Sequence, residues 1–322
     1  MIALSGIKAA SKRIASYILP TIPLRVPALD GFLGCQVYLK PENLQLTGSF
    51  KVRGVTSFLT LLSPEERSRG IVTASSGNHA KALAWMSAQI GIDSLVVMPE
   101  NSNPRKLMDV RAYSQVILEG TLSSERRAKA LEIAEKDGRA YMPSSHDHVV
   151  EGQGTIGLEL LKEIPDLDAV VCPIGAGGLI SGVATVIKSI VPQIKVIGAE
   201  PAGAARFGAS RKAGCPIVLE KVETIADGTR SDSADPEKFD IIERNVNEIV
   251  SSNEEDIISA IRLVASEAKM VAEPSSVLGI AAAAFGGLRF EKRQKVCFVI
   301  TGGNNDLSQL ADVISKNNRP IA

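Results

Sequence analysis

Two hydrophobic periods alternate along this chain. Short apolar runs rich in Val and Ile read as strands over Gln36–Lys40, Ile71–Ala74, Ser94–Met98, Gln115–Leu118, Ala140–Met142, Ala169–Cys172, Lys195–Ala199 and Val296–Ile300. Between them, apolar residues recur at helical spacing over Asn78–Ile90, Ser124–Lys136, Glu151–Glu163, Leu179–Ile190, Glu255–Lys269 and Ser276–Phe285. Val52, Val55, Phe58, Leu59 and Leu62 mark a further helix, and Ile7, Ala10 and Ile14 share one face of an amphipathic first one. Strands this apolar, alternating with helices, predict an α/β fold with mainly parallel sheet covered by helices. No repeat of fixed period, low-complexity segment or obvious linker interrupts the pattern.

Composition narrows the picture. A chain of 322 residues is long enough for a large core and two lobes. Lys plus Arg and Asp plus Glu both number 36, so no net field points to nucleic acid or to an anionic membrane. Cys35, Cys172, Cys215 and Cys297 lie far apart without a CxxC pair, which fits a reducing, cytoplasmic setting and offers no metal or disulfide framework. The stretch from Ala169 to Ile187 carries no charge and invites a membrane reading. Pro173, Gly175, Gly177, Gly178 and Gly182 interrupt it, so it is read as buried strand, glycine turn and buried helix. Lys8, Lys12 and Arg13 before the first acidic residue, Asp30, suit the amphipathic first helix better than a transit peptide.

In open α/β sheets ligands gather beyond the carboxyl ends of strands, and the unusual residues of this chain cluster in such loops. Lys51, in Thr47-Gly48-Ser49-Phe50-Lys51-Val52-Arg53-Gly54, lies at a helix start, with Gly48 and Ser49 of turn and N-cap type. Burial and a positive helix end both disfavour an ammonium, so such a lysine can serve as a nucleophilic amine. Taken alone it reads as an ordinary surface lysine. Ser75-Ser76-Gly77-Asn78-His79 gathers hydroxyls, a carboxamide, an imidazole and free N–H groups at a helix start, an arrangement that binds carboxylates; alone it reads as a capping sequence. Gly175-Ala176-Gly177-Gly178-Leu179 offers bare backbone N–H groups to a phosphate. It is not a P-loop, and Ile180 occupies the third glycine position of a dinucleotide fingerprint, which points to a monophosphate. Ile225-Ala226-Asp227-Gly228, Thr301-Gly302-Gly303-Asn304 and Glu273-Pro274-Ser275-Ser276 are individually weak and read first as turns or a helix start.

Together the Ser-Phe-Lys-x-Arg-Gly lysine, the Ser-Ser-Gly-Asn-His loop and the glycine loop, in this order, resemble the pyridoxal-phosphate enzymes of the tryptophan-synthase-β-like fold (fold type II). The resemblance spans about Ile7 to the last strand. Phe50 before the lysine, Arg53-Gly54 after it and Leu179 after the glycines favour the serine/threonine dehydratase and serine racemase branch over the sulfhydrylases. It implies two open, mainly parallel sheets in two lobes: a large cofactor-binding domain from 1–65 and 148–322, and a small substrate-side domain inserted at 66–147. The implied cofactor is pyridoxal 5'-phosphate, carried on Lys51, which then acts as base on the substrate Cα. Gly175, Ala176, Gly177, Gly178 and Leu179 would hold its phosphate, Asn78 its ring hydroxyl and Phe50 its ring. Gly228 would lie at its edge, and Thr301 would meet its pyridine nitrogen. Ser75, Ser76, Gly77, Asn78 and His79 would surround the substrate carboxylate, with Ser76 as the second acid/base in a racemase.

The implied reaction removes water and ammonia from a small β-hydroxy amino acid such as L-threonine or L-serine, leaving a 2-oxo acid. The alternatives are a serine-type racemase, or a dehydratase of 3-hydroxyaspartate or phenylserine. From other classes, a non-catalytic pyridoxal-phosphate carrier and a nucleotide-binding protein fit the residues less well. Some members hold a divalent cation through a glutamate, a carbonyl and an aspartate. Glu200 and the Ala204 carbonyl match, but Arg206 stands where the aspartate would be, so no metal is expected and the guanidinium is expected beside Glu200. His146-Asp147-His148 is read as surface loop rather than a metal site. Glu125 stands near where some racemases carry an arginine for the substrate carboxylate. The chain runs only a short way past the Thr301 loop, so a C-terminal regulatory domain is not expected. A homodimer or homotetramer acting on a small-molecule amino acid, with neither nucleic acid nor membrane as partner, completes the expectation.

Overall fold

The computed structural model describes residues 2–315. Its strands are β1 (Leu24–Arg25), β2 (Gln36–Pro41), β3 (Ile71–Ala74), β4 (Ser94–Met98), β5 (Gln115–Leu118), β6 (Ala140–Tyr141), β7 (Ala169–Pro173), β8 (Lys195–Pro201), β9 (Glu248–Ser252) and β10 (Lys295–Ile300). They form a six-stranded sheet of order β1-β2-β10-β7-β8-β9 and a four-stranded sheet of order β5-β4-β3-β6. Every pairing is parallel except β1 with β2. Val296 lies opposite both Val37 and Ala169, and Val72 opposite both Leu95 and Tyr141. The fold is thus the mainly parallel α/β architecture expected. The smaller sheet draws all its strands from 71–141, and the larger sheet from the chain on either side.

The central strands β7, β8 and β10 are buried nearly end to end because helices cover both faces, which is why they read as continuous apolar runs. One face packs on Leu29, Leu33, Leu278 and Ala281, the other on Ile156, Leu160, Ile180 and Val183. β1 and β9 escape the apolar pattern because β1 is two residues long and β9 is a partly exposed edge with the sequence Glu-Ile-Val-Ser-Ser. The uncharged stretch from Ala169 is strand, glycine turn and helix; among the described residues no helix is long and apolar enough to cross a membrane.

Three helices set the geometry of the cleft described below. The lysine helix (Lys51–Leu59) and the phosphate-loop helix (Gly178–Ile190) both pack on a central helix (Asp147–Glu163). Both contacts are backbone against backbone. A Cβ on Gly54 would come 2.5 Å from the Val149 carbonyl, and one on Gly152 would collide with the Arg53 carbonyl. On the other flank, a Cβ on Gly182 would lie 2.8 Å from Gly154 Cα. Glycines therefore let one helix gauge the separation between the other two.

A buried charge network pins the lysine helix from behind. Arg53, two residues past Lys51, donates to both Glu42 oxygens at 2.8 Å each and to both Glu159 oxygens at 2.6 and 2.9 Å. Lys40 completes the set on Glu159, and Lys40, Glu42 and Arg53 are fully buried. Two cations facing two carboxylates with paired hydrogen bonds make that burial tolerable.

Two local expectations need correction. The helix expected over Ser276–Phe285 is a 3-10 turn at Pro274–Ser276 followed by a helix at Leu278–Ala284. His146-Asp147-His148 is not a surface loop. His146 caps the central helix, its Nδ1 accepting the His148 N–H at 3.1 Å, and the helix begins four residues before the expected Glu151, with Val149 and Val150 already buried in its first turn.

Candidate active site

Lys51 is the first residue of its helix, placed there by the last strand. Gly48 takes a left-handed φ of 72°, with Asn304 where a Cβ would be. Ser49 bridges to Gly302, and the Phe50 N–H donates to the Thr301 carbonyl at 3.1 Å. Gly48 is the expected turn, but Ser49 is not the N-cap. Phe50 holds that position in helical conformation, and the Ser49 hydroxyl has no hydrogen-bond partner among the described residues. Lys51 Nζ lies 4.8 Å from the Phe50 ring centroid. Burial lowers its pKa to about 8, with Glu273 pulling the other way.

Ser75–His79 leaves β3 and opens the Asn78–Gln89 helix. The capping alternative does not hold, since the N-cap is Gly77 and no side chain caps the helix. Ser75 accepts only a long hydrogen bond from Gly77 N–H, at 3.4 Å. The first N–H groups are therefore left to a ligand. His79 is buried, and burial together with Lys51 pushes its pKa down to about 3 against an opposing pull from the Met142 backbone. It is a neutral imidazole at working pH.

Gly175–Leu179 leaves β7 and opens the phosphate-loop helix, with Gly177 as an N-cap of φ 88° and again no capping side chain. A Cβ on Gly177 would press to 3.0 Å against both Lys238 and Phe207, and one on Gly175 to 3.0 Å from the Gly228 carbonyl. These loops close on a cleft of about 990 Å³ whose lining includes Phe50, Lys51, Ser75, Ser76, Gly77, Asn78, His79, Gly175, Ala176, Gly177, Gly178, Leu179, Gly228 and Thr301. Residues far apart in the chain are thus gathered as the motifs suggested.

Glu200, Ala204 and Arg206 stand behind the cleft. Arg206 is fully buried and donates to the carbonyls of Ala204 and Thr229, each at 3.1 Å, and to that of Gly175. Its nearest approach to Glu200 is 3.8 Å. Glu200 spends its hydrogen bonds on the Phe207 and Gly208 N–H groups at 3.0 and 2.9 Å. Burial lowers the Arg206 pKa and raises that of Glu200. The guanidinium lies beside Glu200 as expected and also braces the glycine loop from beneath.

Several site residues were not singled out from sequence for a role in it. Glu273, read as part of a helix start, lies buried in the cleft with its pKa raised by desolvation. The Asn78 amide donates to both its oxygens at 3.0 and 2.9 Å, and Asn78 Oδ1 accepts from Asn304 at 2.8 Å. A cofactor hydroxyl would have to share that amide. Ser276 Oγ lies 2.9 Å from the Thr301 hydroxyl and accepts the Gly302 N–H at 2.9 Å. Their stretches read locally as turns or a helix start, and only tertiary packing brings Glu273 into the cleft and sets Asn304 and Ser276 behind Asn78 and Thr301. Glu125 points elsewhere: it accepts the Thr121 and Leu122 N–H groups at 2.9 and 2.8 Å, while its neighbour Arg126 lines the cleft.

Fold and cleft define a class, an open α/β protein in which an uncapped glycine loop and an amine-like lysine line one cleft. Residues 14–302 match the family model of pyridoxal-phosphate dependent enzymes, and the chain belongs to that family. L-threonine ammonia-lyase of Thermotoga maritima is 40% identical over 318 residues, covering 98% of this chain and 79% of that protein. Serine racemase of Oryza sativa is 35% identical over 317 residues, covering 97% and 93%. Among solved structures, maize serine racemase superposes with a TM-score of 0.92 at 32% identity, covering 98% and 97%. The residues present fit the cofactor: an uncapped glycine cradle that side chains would fill, and a lysine of lowered pKa whose amine lies over the Phe50 ring in the same cleft.

Proposed function

We propose that this enzyme removes water and then ammonia from a small β-hydroxy amino acid, with L-threonine or L-serine as substrate and a 2-oxo acid as product. The observation that carries this is the meeting, in one cleft, of an amine-like Lys51 with the uncapped N–H groups of the Ser75–His79 loop. Relatives named for ammonia-lyase activity at up to 40% identity support it. Bound pyridoxal phosphate supplies the electron sink. Gly175, Ala176, Gly177, Gly178 and Leu179 would hold its phosphate through N–H groups, with Phe50 beside the ring and the neutral Thr301 hydroxyl available to the ring nitrogen. The Ser75–His79 loop binds the substrate carboxylate, and Lys51 Nζ takes the Cα proton.

A racemase is the second reading, favoured by Ser76 lining the same cleft as Lys51. Arg126 and Arg127 in the lining favour a substrate with a second carboxylate, such as 3-hydroxyaspartate, over phenylserine. The inserted 66–147 segment would be the substrate-side lobe. The four unpaired cysteines suit a reducing cytoplasm. Exposed apolar side chains at Leu19, Ile22, Leu44 and Leu46, on segments tied by the Leu19–Gln45 hydrogen bonds, support a homo-oligomer.

A product assay of the cofactor-loaded protein with L- and D-serine, L-threonine, 3-hydroxyaspartate and phenylserine tests this, scoring 2-oxo acid and the opposite enantiomer together. Oxo acid without enantiomer from threonine or serine is expected, lost in Lys51→Ala and retained for L-serine in Ser76→Ala. Enantiomer in excess makes the protein a racemase, and a fully active Lys51→Ala ends the assignment.

A further inference from the structure

Gln153 sits on the central helix, 1% exposed, and neither its amide nitrogen nor its oxygen has a hydrogen-bond partner among the described residues. A buried carboxamide left empty is costly, so its partner is sought among what binds nearby. Its place is well defined. Oε1 lies 2.9 Å from where a Cβ on Gly178 would stand, and Nε2 lies 3.1 Å from the corresponding point on Gly54. The side chain is therefore wedged between the starts of the phosphate-loop and lysine helices, and it lines the cleft with Lys51 and Gly178. The ends of a carboxamide exchange by a half-turn, so either can face the loop.

We propose that Gln153 donates a hydrogen bond to the phosphate of pyridoxal phosphate, adding one side-chain contact to a cradle otherwise made of backbone N–H groups. The chemistry suits the place. A neutral amide can be buried without a counter-ion, whereas a lysine there would bring a second cation next to Lys51 and a glutamate would oppose the phosphate. The inference rests on the family's cofactor and not on the choice of substrate.

The test titrates the full chain, stripped of cofactor, with pyridoxal phosphate and with pyridoxal, which lacks the phosphate. Gln153→Met keeps length and apolar packing. It should weaken pyridoxal phosphate about ten- to a hundred-fold, leave pyridoxal within about two-fold, and shift the phosphorus resonance of the bound cofactor. Gln153→Glu should weaken pyridoxal phosphate further, again sparing pyridoxal. Equal losses for the two aldehydes would make Gln153 a packing residue and overturn the proposal. An unchanged phosphate affinity and resonance would do the same. Wild-type protein that captures neither aldehyde would sink the cofactor assignment, and this contact with it.

Discussion

An amine with a pKa of about 8 has consequences that can be measured at a single residue. Capture of the aldehyde needs the free base, so its rate in cofactor-free protein should rise with pH to a plateau above about 8, well below the ordinary lysine value near 10.4. Glu273 opposes the burial that lowers this pKa, so Glu273→Gln should move the midpoint below 8. An upward move would show that the carboxyl is neutral or faces elsewhere. The linkage sign follows from the depressed value: between pH 8 and 10.4 the unfolded chain binds more protons at this lysine, so stability of the cofactor-free protein rises across that window. His79, down at about 3, contributes in the same sense at acid pH, where stability falls as the unfolded imidazole takes up a proton below about 6.5. Lys51 and His79 were legible as residues. Their pKa values were not, because both depend on what burial places around them.

At the scale of elements, the central helix acts as a spacer. Gly152→Ala would drive a methyl into the Arg53 carbonyl and push the lysine helix away, at a cost of about 1–3 kcal/mol. The same variant should lose affinity for pyridoxal phosphate, because Lys51 then moves relative to the glycine loop. Gly31→Ala, with nothing within 4 Å of the new methyl, is the control and should melt like the wild type. Calorimetry with and without cofactor checks both, and equal melting of the two variants would refute the spacer role. Strand positions were legible because β7, β8 and β10 are apolar on both faces, a pattern that only a covered sheet requires. Helix starts were less so. Ser49 has capping chemistry but is held in a bridge, and His146 caps its helix through a ring nitrogen, which is not one of the usual capping side chains.

For the whole molecule, the exposed apolar residues offer a test of assembly. Ile22 is 64% and Leu44 59% exposed, more than solvent-facing isoleucine and leucine need be. If the proposed homo-oligomer forms through this face, Ile22→Glu with Leu44→Glu should give a smaller species than the wild type by light scattering after size exclusion; an unchanged mass would exclude this face as the contact. The sheets also meet across ion pairs and amides. Lys106 pairs with Asp227, Lys81 donates to Asn304 at 2.9 Å, and Asn78 holds Glu273, each joining the segment around the smaller sheet to the chain around the larger.

By itself the sequence determined the class of fold, the order of its apolar strands, the lysine, the two loops that open helices directly after strands, and the cofactor they imply. These are local quantities: hydrophobic period, glycine where backbone must be bare, and a helix start directly after a strand. Only the tertiary structure decided that Glu273 and Asn304 share Asn78, that Ser276 backs Thr301, that Arg206 braces the glycine loop, and that Gln153 stands unpartnered between two helix starts. Those pairings join residues up to 226 positions apart, and what makes them chemical is the exclusion of water around them, which no stretch of sequence carries alone.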